Sequence, residues 1–316
     1  MASLTIASIS GGTGSYLAAR RYVDQHGTDG LGLLFTDTLC EDQDAYRFLI
    51  AGAADIMGVA LPAGFIPEIG DFPAWEDRPA YKAFVMALAG RARRAIPGLF
   101  WIADGRDVWD IYEAKRFLGN SRLDPCSAVL KRALAKRWLD ENCAPWTRVI
   151  VGIDHEEIER FVGGPKNGGI RAAWAQRGHE ALAPLCDTPH LSWPQRLAEL
   201  EDRGLWLPRL NRLGFAHNNC GGFCCKAGIG HWRDMARIFP ERYAYAERRE
   251  REIREILGNV AMLTDRRGGQ KKPMTLEALR HRDLSPDEAS EKGGCGCFFG
   301  EDAGRATLAE HDGREG

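Results

Sequence analysis

Apolar residues in the first half of the chain fall into short unbroken runs separated by stretches with helical spacing. Leu4 to Ile9 reads as a buried strand, Gly11 to Gly14 as a turn, and Tyr16 to Gln25 as a helix that Gly27 and Gly30 end. "LGLLFTDT" (31–38) reads as a second strand and "EDQDAYRFLIAGAADIMG" (41–58) as the helix after it. "GLFWIADG" (98–105) and "TRVIVGID" (147–154) read as two further buried strands, each with helical sequence nearby. Strands alternating with helices predict an α/β protein, a parallel twisted sheet with helices on both faces.

The pattern changes near Gly163. "FVGGPKNGGIRAAWAQRG" (161–178) reads as a loop, and the chain beyond it is mainly helical, punctuated by Trp and Pro and rich in cysteine. "ERYAYAERREREIREILGN" (241–259) reads as a surface helix whose Glu and Arg residues pair at spacings of three and four and do no more than solvate one face. From Leu284 onward Gly, Asp and Glu dominate, so partial disorder is expected there, apart from the Cys-Gly-Cys segment "GGCGCFF". The expected organisation is a nucleotide-binding domain over 1–175, a helical cysteine-rich region over 176–283 and a tail over 284–316.

A chain of 316 residues can bury a full core without staples. Its net charge of −2 gives no bulk attraction for nucleic acid or membrane, so any polyanion would have to be met by a local basic patch. No apolar window approaches the length of a membrane span and no signal-type leader is visible, so a cytoplasmic protein is expected. Nine cysteines in a reducing compartment point to metal or redox chemistry before a disulfide framework.

The turn in "SISGGTGS" (8–15) carries the first candidate chemistry. A strand, a glycine-rich turn and a helix start gather backbone N–H groups and the positive end of a helix dipole around one point, which suits an anion. The spacing is neither GxxxxGK[ST] nor GxGxxG, and such a turn is also common as plain structure. The segment resembles the pyrophosphate loop SGGxDS of the PP-loop ATP pyrophosphatases and their relatives, the phosphoadenosine-phosphosulfate (PAPS) reductases. Ser10, Gly11, Gly12 and Ser15 match that loop, and Gly14 stands where the family has Asp. "FTDTLCEDQDAYRFL" also resembles the family's second strand and helix through Asp37, Thr38, Glu41, Tyr46 and Phe48, the two aromatics reading as core.

The resemblance implies that Ser10, Gly11, Gly12, Thr13, Gly14 and Ser15 cradle the phosphates of ATP with Mg2+, while Asp37 and Thr38 border the adenosine. In "DPCSAVLKR", Lys131 and Arg132 would meet phosphate or sulfate, so Asp37, Lys131 and Arg132 are the candidate catalytic residues. Cys126 is a ligand candidate by the same resemblance. Cys220 and Cys224, close together in "HNNCGGFCCKAGIGHW", complete a three-cysteine set of the kind that holds a 4Fe-4S cluster in related thiolation enzymes. A zinc built from Cys220, Cys224 and His217 or His231, or no metal at all, remain open. Cys40, Cys143 and Cys186 stand alone and read as structural.

Two further stretches are less specific. Arg266, Arg267, Lys271 and Lys272 form a basic loop around two glycines, able to neutralise phosphates or simply to face solvent. Asp154, Glu157 and Arg160 lie just past a strand end and read either as substrate-facing or as ordinary helix-start residues. The leading functional expectation is an ATP-dependent enzyme that adenylates an acceptor, with release of pyrophosphate, for sulfur transfer. Its partners would be an adenine nucleotide, a small-molecule or nucleobase acceptor and a sulfur donor, with a homodimer as candidate assembly. A PAPS-reductase-type enzyme and a nonenzymatic nucleotide- or zinc-binding protein are the alternatives.

Overall fold

The computed structural model describes residues 4–164 and 168–293. Five short strands, β1 (Thr5–Ser8), β2 (Leu31–Asp37), β3 (Leu99–Ala103), β4 (Arg148–Ile150) and β5 (Glu180–Leu182), form one sheet in the order β3-β2-β1-β4-β5. Every pairing is parallel, so the expected α/β class holds. The first four strands fall within the apolar runs of the sequence. β5 does not: it lies past residue 175, in a stretch expected to be helical, and three residues are too few to show a period.

Parallel strands need crossover helices, which cover both faces. Alternate residues of β1 and β2 separate accordingly. Ala7, Leu33 and Phe35 join a core with α1 (Thr13–His26), α2 (Gln43–Ile56) and α3 (Arg78–Ala95). Ile6 and Leu34 face the other way, against Leu139, Ile170 and Trp174. Fully burying such side chains contributes roughly 1.5–3 kcal/mol each. Gly27, at φ 74°, ends α1 where the sequence places its stop.

Three expectations need correction. The loop expected over 161–178 contains the helix Gly169–Ala175, because Ile170, Ala173 and Trp174 recur at helical spacing and are buried. In the tail, Pro286–Ser290 is helical, started by a reciprocal cap between Ser285 and Glu288 that composition alone hides. The Glu/Arg-rich helix, Pro240–Leu257, is more than a solvated face: Arg242 and Glu250 are buried within it.

Those buried charges join the cysteine-rich region to the sheet. Asp42 caps α2 through the Asp44 N–H, and its carboxylate also accepts from Arg209 (2.5 Å) and Arg242 (2.9 Å). Burial alone would raise the Asp42 pKa, but Arg242 and Arg209 together overcome it and hold the carboxyl below its usual range. Asp44 is fully buried as well and accepts from the Arg209 backbone N–H (2.7 Å), Arg47 (2.9 Å) and the Trp206 indole (3.2 Å). Glu250 accepts from the backbone N–H groups of Met262 and Leu276, fixing the segment that follows.

Candidate functional site

β1 delivers the glycine turn to the carboxyl end of the sheet, and α1 starts within it, at Thr13. Gly11 takes φ +72°, and a Cβ there would stand 2.9 Å from the Ala45 carbonyl oxygen, so the turn requires glycine at this point. The Ser15 hydroxyl braces the turn from inside, accepting from the Ser10 N–H (3.0 Å) and donating to the Gly12 carbonyl (3.0 Å). Gly12 is the N-cap of α1 and offers no side chain to its first-turn N–H groups, which suits those donors to an anion.

A cavity of about 380 Å3 opens over this turn. Ser10, Gly12, Thr13, Gly14 and Ser15 form one wall, and Gly152, Glu157, Arg160, His217 and Asn218 stand around them. Five of the six turn residues expected to bind phosphate therefore line one space, while Gly11 supports it from behind. Gly152 lets the end of β4 approach α1: a Cβ there would lie 2.7 Å from the Ser15 backbone nitrogen and Cα. Arg160 is paired with Glu157 on the cavity wall, and Asp154 is turned away, paired with Arg196.

Asn218 is the residue the sequence does not advertise. It is 5% exposed, donates to the Gly11 carbonyl (3.0 Å) and has its Oδ1 buried without a hydrogen-bond partner among the described residues. The same residue is among those lining the cavity, so its amide ties the wall to the turn. No motif predicts this, because the contact depends on how the cysteine loop folds back over the turn; Gly152 at least carries a weak signal as a glycine just past a strand.

The other expected site residues lie elsewhere. Asp37 is fully buried, accepting from the Leu39 N–H (2.7 Å), the Tyr46 hydroxyl (2.8 Å) and the Trp101 indole (2.9 Å). Its pKa rises to about 7 because burial, helped by the negative charge of Glu41, outweighs those three donors. It borders a separate cavity of about 670 Å3 beside the edge strand β3, with Arg93, Arg94 and Trp138. Thr38 donates to Glu41 (3.1 Å), and Lys131 pairs with the same Glu41 oxygen (3.4 Å). Arg132 meets Asp124 at 3.5 Å. None of these four is among the side chains lining the cavity over the turn.

Glu41 links this group to the cysteines, since its second oxygen accepts from the Cys220 backbone N–H. Cys220, Gly221 and Gly222 all take positive φ, at 53°, 57° and 95°, which bends the loop tightly. A left-handed non-glycine residue such as Cys220 costs on the order of 1 kcal/mol or more and persists only where its surroundings hold it. Cys126 sits in a buried segment that enters a π-helical turn, Ala128–Ala133, which also carries Lys131 and Arg132. The Tyr112 hydroxyl reaches the Cys126 sulfur at 3.4 Å, and Cys225 approaches the same hydroxyl. Burial, reinforced by those two thiols, pushes the tyrosine pKa up.

Cys126, Cys220, Cys224 and Cys225 thus belong to one core, but among the described residues no three His, Cys, Asp or Glu side chains are grouped to hold a metal ion. The ring nitrogen Nε2 of His231 faces the Gly222 carbonyl at 2.7 Å, and burial lowers that histidine's pKa to about 4. Cys295 and Cys297 lie outside the described residues. No described helix is long and apolar enough to cross a membrane. No protein-family model, curated protein or solved structure matches the chain.

Proposed function

We propose that this chain is a PP-loop-type enzyme that binds ATP over the Ser10–Ser15 turn and transfers AMP to an acceptor oxygen. The reading rests above all on one observation: the turn, at the carboxyl end of the middle strand, opens with its uncapped first-turn N–H groups into a cavity whose wall includes Arg160 and Asn218. A nucleotide supplies the complement, phosphates for the N–H groups and for the Arg160 guanidinium.

In the step we propose, a carbonyl oxygen of the acceptor attacks the α-phosphorus. A new P–O bond forms, the α–β bridging bond breaks, and its electron pair leaves with pyrophosphate. The first-turn N–H groups of α1 hold that leaving group and Arg160 spreads its charge, so charge developing in the transition state meets donors already in place. Glu157 is the acidic side chain on the cavity wall, and magnesium would travel on the phosphates it neutralises. A sulfur or nitrogen nucleophile then displaces AMP from the activated carbon.

Gly12→Val tests the reading. Gly12 has φ −110°, and a Cβ on it would meet only the Ser10 hydroxyl at 3.5 Å, so the fold tolerates the substitution while the branched side chain fills the phosphate space. By calorimetry, the variant should bind ATP at least about tenfold more weakly, roughly 1.4 kcal/mol, at an unchanged melting temperature. Equal ATP affinity in the two proteins removes the turn from the mechanism. Tighter binding of PAPS than of ATP by the natural chain would transfer the proposal to sulfate reduction.

A further inference from the structure

A third cleft, of about 520 Å3, lies between the loop that follows the helix Val108–Ala114 and the hairpin of β6 (Leu263–Asp265) and β7 (Lys272–Met274). Arg116 and Arg122 line it on one side, and Arg266, Lys271 and Lys272 on the other. No carboxylate is among its lining residues. Arg266 pairs with Glu291 at 3.3 Å, whereas Arg116, Arg122, Lys271 and Lys272 form no ion pair among the described residues. Some other surface cations are paired, as in Arg249 with Glu113 and Glu252, or Arg280 with Glu247.

Like charges gathered in one concavity repel each other and focus a positive potential, which an anionic ligand relieves. Two more features shape the ligand. Arg116 is held in the left-handed region, at φ 46°, which fixes the direction from which its side chain departs. Phe117, Leu257, Val260 and Pro273 give the cleft an apolar lining that a lone phosphate would not use. Cations on two walls around apolar surface suit a succession of phosphates with an unstacked base between them.

We propose that this cleft binds single-stranded nucleic acid through its phosphodiester backbone, independently of the glycine turn. The loop that carries Arg116 and Arg122 also carries Gly119, whose backbone lies against Tyr112 and the Cys225 sulfur, so a strand held in the cleft lies just across that loop from the buried thiols.

The test is fluorescence anisotropy of a labelled oligothymidylate of about 12 nucleotides, titrated with the full chain between about 50 and 200 mM salt. We compare the natural protein with Arg122→Gln/Lys271→Gln/Lys272→Gln, three exposed positions whose loss leaves the core untouched. The natural protein should bind with a steep salt dependence. The triple variant should bind at least about tenfold more weakly, its log–log salt slope smaller by about 2, near 0.7 for each phosphate that is no longer neutralised. Gly12→Val should bind the oligonucleotide as the natural chain does, which separates this proposal from the nucleotide reading. Absent binding at low salt, equal affinity and slope in the triple variant, or equally tight binding of a duplex of the same length would each overturn it. So would a thermal shift with tripolyphosphate, abolished in the triple variant, that has no counterpart with the oligonucleotide.

Discussion

Asn218 and Gly11, 207 residues apart, are joined by a 3.0 Å hydrogen bond from the side-chain amide to the backbone carbonyl. The loop that carries Cys220 therefore holds the glycine turn in place, and Asn218 lines the cavity over that turn. Asn218→Ala removes the brace. We expect ATP affinity to fall by about 0.5–1.5 kcal/mol, a factor of roughly 2 to 12, with a modest loss of thermal stability. Calorimetric titration of the variant against the natural chain checks this, and unchanged affinity would confine Asn218 to the fold.

Neighbouring glycines of the turn should fail in different ways. Gly11→Ala forces a left-handed residue into contact with the Ala45 carbonyl, and should cost on the order of 1–2 kcal/mol of stability from the backbone alone, with the steric clash in addition. Gly152→Ala pushes β4 away from α1 and should likewise lower the melting temperature. Gly12→Val should leave melting unchanged while weakening nucleotide binding. Thermal melts with and without ATP distinguish the three.

Asp42→Ala strands two guanidinium groups, of which Arg242 is 5% exposed. Removing one partner of a buried ion pair costs about 3–5 kcal/mol. Urea unfolding should show a lower midpoint, and a fall below about 1 kcal/mol would mean that Gln43, already within reach of both arginines, takes over.

Asp37 gives the folded state a pH signature. Its carboxyl pKa rises on folding from 3.8 to about 7, through burial and then the charge of Glu41. The folded chain thus holds the proton more tightly than the unfolded chain. Asp37's contribution to stability is fully present below pH 3.8 and is lost as pH rises toward 7. The stability of the natural protein relative to Asp37→Asn should therefore decline between those limits. Parallel urea titrations at pH 4, 5.5 and 7 measure it, and a difference that grows with pH contradicts the assignment.

The apolar runs made four strands and the glycine turn legible, because a strand buried on both faces leaves a continuous hydrophobic signature. β5 escaped because it has three residues and an exposed end. The site was legible only on the side built from contiguous chain. Ser10 to Ser15 are set by local geometry, whereas Asn218 and Gly152 reach the cavity by tertiary folding, which spacing does not encode. The partners of the charged residues are likewise set by tertiary folding. Lys131, Arg132 and Asp37 are chemically suited to a phosphate site, yet each is occupied within the protein, by Glu41, by Asp124 and by the Tyr46–Trp101 pair. Arg242, on a helix that composition assigns to solvent, is the opposite case.

The cations that compensate Asp42 come from positions 209 and 242, and the partners of Asp44 include Trp206 and Arg209. During synthesis the first four strands of the sheet are made before any of these. Two carboxylates destined for full burial must then stay hydrated, so the start of α2 cannot close onto its core until the later segment arrives. A nascent chain halted near residue 175 should therefore be open at the edge that the finished protein seals, and the two halves should be acquired together rather than in turn.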